Sequence, residues 1–489
     1  MGLRRVASVV GLLQVFVALA MVLAGLVALA YGDGDARGIF LSALITAVAG
    51  FVLYKVTHLE EEITSREGFA IVTLAWAATA HFGALPYLLT GVITSPVDAV
   101  FEAMSGFTTT GATVFSQIEG LPHGILFWRS LTHWLGGMGI IVLVIAVLPY
   151  LGVGGMQLFR AEVPGPTPER LQPRIAQTAK LLWLVYVGLT AAQVLLYFLG
   201  GMGLFDAVNH AFATLATGGF STKNASIAAF DSAYIHYVTI LFMYLAGVNF
   251  SLHFRAATGR FAYPHDQEWR FFTYVVVAGA LAITAVNLHA GSYVLSGSGV
   301  EAAFRDGLFQ AVSITTTTGF VSADYELWVP GGQGVLLALF FVGGMAGSTG
   351  GGIKAVRVLL LLKATANELR KHLHPKAILL TRVGTKPVRE DVLANVVGFV
   401  ILYLLLCLAG TLVLTFMGID LVTSLGASIA TVGNVGPGFG LVGATDNYGW
   451  MTQPQLAVLS FLMLVGRLEI YTVLILFHRE TWKRRHAFH

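Results

Sequence analysis

Four short stretches of this 489-residue chain carry groups able to coordinate a bare cation: threonine, glycine and closely spaced backbone carbonyls. They are Thr109-Thr110-Gly111-Ala112, Ala216-Thr217-Gly218-Gly219, Thr317-Thr318-Gly319-Phe320 and Thr431-Val432-Gly433-Asn434. Glycine lets the backbone adopt conformations that aim carbonyls at an axis. Four such loops around one pore replace an ion's hydration shell with carbonyl oxygens, the solution used by potassium filters. Each stretch closes a longer unit: DAVFEAMSGFTTTG (98–111), DAVNHAFATLATG (206–218), DGLFQAVSITTTTG (306–319) and DLVTSLGASIATVG (420–433). Each unit opens on Asp98, Asp206, Asp306 or Asp420 and closes 12 or 13 residues later on Gly111, Gly218, Gly319 or Gly433. Helix packing would explain small residues in any one copy. Four copies with the same leading acid and closing glycine argue instead for a ring.

Helices must hold these loops in place. The residues ahead of each loop have helical spacing, but about 12 of them are too few to cross a bilayer and suit a re-entrant half-helix. The aspartates are placed to cap the half-helix N-termini, and the negative C-terminal ends then point into the membrane toward a cation. Irregular backbone at that depth is tolerated only where it is buried or lines a wet cavity.

The composition agrees. Apolar residues make up 56% of the chain and charged residues 11%, against roughly 25% charged in a soluble domain. Ten stretches reach the length of a membrane helix: about 6–31, 38–56, 68–91, 125–150, 180–201, 234–254, 271–294, 333–358, 392–417 and 455–478. The first is read as a retained helix, since its apolar run exceeds the 7–15 residues of a signal peptide. With both termini inside, most Lys and Arg fall on the inner side, as the positive-inside rule requires. Only Arg37, Arg129, Lys223 and Arg305 lie outside, with Arg467 inside a span. The outer loops then hold Asp33, Asp35, Glu102, Glu119, Asp231, Glu301, Asp324, Glu326 and Asp446 besides the four repeated aspartates, an acidic mouth that would concentrate cations. The single Cys407 excludes an intrachain disulfide, and the histidines have no metal-site spacing. No nucleophile, base or metal cluster converges at membrane depth, so an enzyme is not expected. Neither a cofactor nor a nucleic-acid partner is expected.

Two further features bear on conduction. Gly343, Gly344, Gly347, Ser348, Thr349, Gly350, Gly351 and Gly352 interrupt the 333–358 span. Glycine in a helix interior costs about 1 kcal/mol relative to alanine, so this run is expected to break the helix and line the conduction path, close helix packing being the alternative. It is not a phosphate loop, for it lacks the GK[ST] ending and a preceding strand. Arg467 lies within the last span, and intramembrane charges are by default functional. It is expected below the filter, where a positive charge opposes cation occupancy. Neutralisation by carbonyls in a packed core is the alternative. Lys354, Arg357, Lys363, Arg370, Lys371, Lys376, Arg382, Lys386 and Arg389 form a basic inner segment suited to lipid headgroups.

The blocks SGFTTTGAT (105–113), LATGGFST (215–222), TTTTGF (315–320), TVGNVGPG (431–438), GGMAGSTGGGIKAVR (343–357) and GRLEIYTVLILF (466–477) resemble the Trk/Ktr/HKT superfamily of potassium transporters. The two extra N-terminal helices and the loop at 159–174 are similar to its TrkH branch. The resemblance implies an all-α integral membrane protein with four pseudo-fourfold helix–pore loop–helix repeats around one pore, plus an N-terminal two-helix hairpin. The divisions would be 1–66 for the hairpin and 67–160, 161–260, 261–375 and 376–489 for the repeats. It implies potassium uptake across the bacterial inner (plasma) membrane, K+ being the transported ion bound at the filter residues. It also implies an intramembrane gate, a homodimer, and a cytosolic nucleotide-binding regulatory ring of the TrkA type docked on the basic face. Coupling to protons or sodium, as in a cation symporter, is the alternative mechanism.

Overall fold

The computed structural model describes residues 3–57, 65–139, 175–377, 379–384 and 386–482. The 159–174 loop and the 160/161 division lie outside them. The chain is helical because, in hydrocarbon, a helix satisfies every backbone group within its own segment. Helices α1 (Leu3–Tyr31) and α2 (Ala36–Thr57) pack as an N-terminal hairpin. Four units follow, each a membrane helix, a buried half-helix and a return helix. The first holds α3 (Ser65–Gly83), α4 (Pro96–Phe107) and α5 (His123–Gly137). The second holds α6 (Ile175–Leu199), α7 (Leu204–Leu215), α8 (Ala233–Ala246) and α9 (Phe250–Ala257). The third holds α10 (Gln267–His289), α11 (Gly297–Thr315), α12 (Pro330–Leu339) and α13 (Ala355–Leu373). The fourth holds α14 (Glu390–Phe416), α15 (Leu421–Gly433), α16 (Gln453–Arg467) and α17 (Tyr471–Phe477). The β-structure among the described residues is one ladder pairing Arg382–Val383 with Lys386–Pro387.

Among the described residues, six helices are long and apolar enough to cross a membrane, or eight spans if each bent pair counts as one. This is a multi-pass membrane protein. Two spans expected to be continuous are broken: α8 and α9 meet at 102°, and α16 and α17 at 115°. The first break exposes carbonyls that the third unit uses. Met345 N–H donates to Gly247 O at 2.9 Å and Thr349 N–H to Ala246 O at 3.3 Å, while Phe250 N–H donates to Gly347 O at 3.0 Å. Two interruptions in neighbouring return helices thus satisfy each other's backbone, as burial at that depth demands. The second break turns at Glu469 and Ile470, both at a φ of 54°.

The hairpin supports α5. Pro122 precedes that helix and offers no side-chain cap. Its first N–H groups are taken instead by the α1–α2 loop, His123 N–H donating to Asp33 Oδ2 at 2.7 Å and Ile125 N–H to Asp35 Oδ2 at 3.1 Å. Asp35→Ala is expected to destabilise the protein by about 1–2 kcal/mol, the worth of a carboxylate at a helix N-terminus. Thermal unfolding of the purified variant measures it.

Candidate functional site

The four half-helices α4, α7, α11 and α15 end in one local structure. A residue in the left-handed region follows each: Thr109 (φ 53°), Thr217 (53°), Thr317 (59°) and Asn434 (54°). Its N–H bonds the carbonyl three residues back, and the next N–H bonds the carbonyl five back. The pairs run from Thr109 to Gly106 and Thr110 to Ser105, Thr217 to Thr214 and Gly218 to Ala213, Thr317 to Ile314 and Thr318 to Ser313, and Asn434 to Thr431 and Val435 to Ala430. This is a Schellman ending, a place where glycine is usual. Holding threonine there costs roughly 1–2 kcal/mol per position, and such strain gathers at functional sites.

Two residues beyond each left-handed residue comes a glycine at positive φ: Gly111 (84°), Gly219 (82°), Gly319 (75°) and Gly436 (97°). These four close a ring. A Cβ on Gly111 would fall closer than 3.0 Å to Gly218 O, one on Gly219 as close to Thr318 O, one on Gly319 to Val435 O, and one on Gly436 to Thr110 O. Each glycine therefore lies edge-on against the carbonyl just ahead of the next glycine, around all four segments and back to the first. Asn434 Nδ2 also donates to Thr110 Oγ1 at 3.0 Å, joining the last segment to the first. Thr109 Oγ1 and Asn434 Oδ1 are buried without a hydrogen-bond partner among the described residues, and both are oxygens of the kind a cation binds.

The ring corrects the register expected from sequence. The equivalent glycines in the second and fourth segments are Gly219 and Gly436, not Gly218 and Gly433. Gly433 is the last residue of α15. Gly218 is small for another reason: a Cβ there would strike the ring of His133, which stacks on Phe220 at 4.1 Å. The second segment is consequently not a residue short, as its left-handed Thr217 stands as far from Asp206 as Thr109 does from Asp98.

The aspartates do not share one role. Asp420 is the N-cap of α15, its carboxylate accepting from Val422 N–H at 3.1 Å and Thr423 N–H at 3.0 Å. Asp98 and Asp206 lie in the first turn of their helices, with Ser95 and Gly203 at the N-caps. Asp306 lies well inside α11, whose N-cap is Ser296. Asp206 and Asp306 instead tie down the chain leaving the ring, accepting from Thr222 Oγ1 at 2.6 Å and Ser322 Oγ at 3.1 Å. The fourth unit does this with Thr423, whose Oγ1 accepts from Leu441 N–H at 3.1 Å.

The loop at 340–354 joins α12 to α13. Thr317, at the left-handed position of the third segment, accepts on its Oγ1 from Gly351 N–H at 2.6 Å. Lys354 Nζ donates to Gly350 O. Glu268 Oε1, at the start of α10, accepts from Ala346 N–H at 2.7 Å and Val356 N–H at 3.1 Å. Arg467 donates to Thr349 O at 2.9 Å, Gly136 O at 2.7 Å and Gly137 O at 3.2 Å. It bridges the loop and the end of α5, so carbonyl neutralisation and proximity to the loop occur together. Glu469 pairs with Arg357. Lys354 and Arg357 are buried, which removes both from the solvated basic face.

Other residues of this site carry no signal in the repeats. Tyr448 Oη donates to Gly436 O at 2.8 Å and Tyr325 Oη to Gly438 O at 2.6 Å, bracing the fourth segment from distant loops. Glu102 and Arg129, placed by sequence in the outer mouth, are 0% and 1% exposed and lie behind the ring. Asp33 likewise meets His123, and Asp206 meets Lys223 at 3.7 Å. The acidic mouth is thus weaker than a count of outer acids suggests.

Residues 36–484 match the family model TrkH, described as cation transport protein. The Trk system potassium uptake protein TrkH of Salmonella typhimurium is 41% identical over 99% of this chain and 100% of its own length. TrkG of Escherichia coli, a Trk system potassium uptake protein, is 36% identical over 98% of this chain and 99% of its own. The crystal structure of the potassium transporter TrkH from Vibrio parahaemolyticus superposes with a TM-score of 0.88 at 39% identity, covering 99% of this chain and 100% of that one.

Proposed function

We propose that this chain, which belongs to the TrkH family of cation transport proteins, takes up potassium through the ring of Gly111, Gly219, Gly319 and Gly436. The relatives of similar length are potassium uptake proteins of Trk systems. One observation carries the placement of the selective step: the closed cycle in which each glycine packs on the next segment's carbonyl. Such a cycle fixes the spacing of all four segments together, and spacing of carbonyl dipoles is what distinguishes one alkali cation from another. Strained left-handed residues ahead of it hold the carbonyls before any ion arrives.

The loop from Gly343 to Gly352 is the gate in this reading. Its bonds to Thr317 and Arg467 place it against the third segment and the broken last helix. The exposed stretch of α13 with Arg370 and Lys371, followed by Arg382, faces the cytoplasm and receives a nucleotide-binding regulatory ring. The working unit is a homodimer in the bacterial inner membrane with both termini inside. The four units divide near 160, 260 and 375.

Purified protein in liposomes under opposed potassium and sodium gradients tests this reading. The reversal potential is expected to follow the potassium gradient. A reversal potential displaced by a pH gradient would favour a coupled symporter, and one indifferent to which cation is present would remove the selective ring.

A further inference from the structure

We infer that the buried pair Glu102–Arg129 is a positioning element for ion selection, cross-bracing the first and second segments of the ring. The inference rests on the ring being the selective site. Arg129 comes from α5 and Glu102 from α4. Arg129 Nε donates to Glu102 Oε1 at 2.8 Å, with both side chains sealed from solvent. Thr113, two residues past Gly111, donates to Glu102 at 3.0 Å and accepts from Arg129 NH2 at 3.2 Å. Val114 N–H donates to Glu102 Oε2 at 2.9 Å. Arg129 NH1 reaches across to Ser221 O at 3.2 Å, two residues past Gly219. The guanidinium also lies over the Phe220 ring, 4.1 Å from its centroid.

Replacing a buried ion pair by apolar residues is often neutral or stabilising, so stability alone does not account for this one. Its geometry does. One planar fork holds the outgoing chains of two different segments at a fixed separation, which a point-charge lysine cannot reproduce. The corresponding side chains of the second and third units are neutral in kind: His210, bonded to Ser221 Oγ at 2.8 Å, and Gln310, bonded to Ala323 O at 3.4 Å. These two occupy the place of Glu102 and their hydrogen bonds stay within their own units, whereas the arginine that Glu102 holds also bonds the second unit's outgoing chain. The pair sets the distance between the first and second segments and thereby the preference between cations.

Two variants test the inference: Arg129→Lys keeps the buried charge but loses the fork, and Thr113→Val keeps both charges while removing the hydroxyl between them. The readout is the potassium-to-sodium permeability ratio from reversal potentials in liposomes, alongside the melting temperature of the same preparations. Arg129→Lys and Thr113→Val are each expected to lower the ratio by about tenfold, the scale of one charge-assisted hydrogen bond, since the Thr113 hydroxyl bonds a carboxylate and a guanidinium. A lowered melting temperature with an unchanged ratio in Thr113→Val, and in Arg129→Lys wherever it folds, overturns the inference and leaves a structural brace. A wild-type protein that does not distinguish potassium from sodium overturns the ring reading beneath it, whatever the variants do.

Discussion

Gly436→Ala will abolish most of the preference for potassium, while Gly433→Ala, three residues earlier, will leave it nearly intact. Gly436 has a φ of 97°, and a Cβ there would press on Thr110 O closer than real Cβ atoms approach. An L-residue at left-handed φ costs roughly 1–2 kcal/mol before any clash is counted. The clash falls on the backbone of the first segment, so the first and fourth segments must separate. Gly433 is helical, and its Cβ would meet only Tyr403 Oη at 3.1 Å and Val435 Cγ2 at 3.3 Å. Alanine there even gains about 1 kcal/mol of helix propensity. The permeability ratio is expected to fall tenfold or more in Gly436→Ala, a loss of about 1.4 kcal/mol in discrimination. The same holds for Gly111→Ser, whose Cβ would meet Gly218 O. If Gly433→Ala were the damaging change and Gly436→Ala the silent one, the register of the fourth segment would be wrong.

Arg467→Ala will raise potassium flux several-fold, and Arg467→Lys will stay nearer to wild type. A unit charge about 8 Å from a permeating cation opposes it by roughly 2 kcal/mol at an effective dielectric near 20. The carbonyls of Thr349, Gly136 and Gly137 offset part of that charge, which brings the effect below the unscreened limit of about 30-fold. Alanine removes both the charge and the tether on the loop. Lysine keeps the charge but, as a point donor, cannot span carbonyls on two elements. Flux per folded protein in liposomes distinguishes the cases. If alanine and lysine lower it equally, Arg467 is a brace and the barrier account fails.

The architecture was legible because a bilayer leaves few alternatives. Among the described residues six of the ten apolar runs form helices long enough to cross a membrane and two form bent pairs, and four Asp-led, Gly-closed units became four half-helices ending in turns. What failed was finer. The fourth unit is one helical turn out of step, since Asp420 caps its helix from outside while Asp98 and Asp206 lie within their first turns. Aligning on the leading acid therefore chose Gly433, and Thr423 is the true counterpart of the other aspartates. In the second segment two adjacent glycines answer to different neighbours, Gly218 to the His133 ring and Gly219 to Thr318 O. One sequence position could not reveal which. The bends at 247–249 and 468–470 lack a glycine run or a proline. They arise from tertiary partners, the loop carbonyls and N–H groups for one and the Arg357–Glu469 pair beside the other. A charged residue outside the spans reads as solvated, yet Glu102 and Arg129 are sealed from solvent against each other, which their separate sequence positions do not reveal.

Anomalous diffraction from crystals soaked in rubidium, a potassium surrogate, tests the central claim most directly. The account predicts density on the axis of the ring bounded by Gly111, Gly219, Gly319 and Gly436, lost when rubidium is exchanged for sodium. Rubidium bound only elsewhere, with the ring empty of it, would contradict the account.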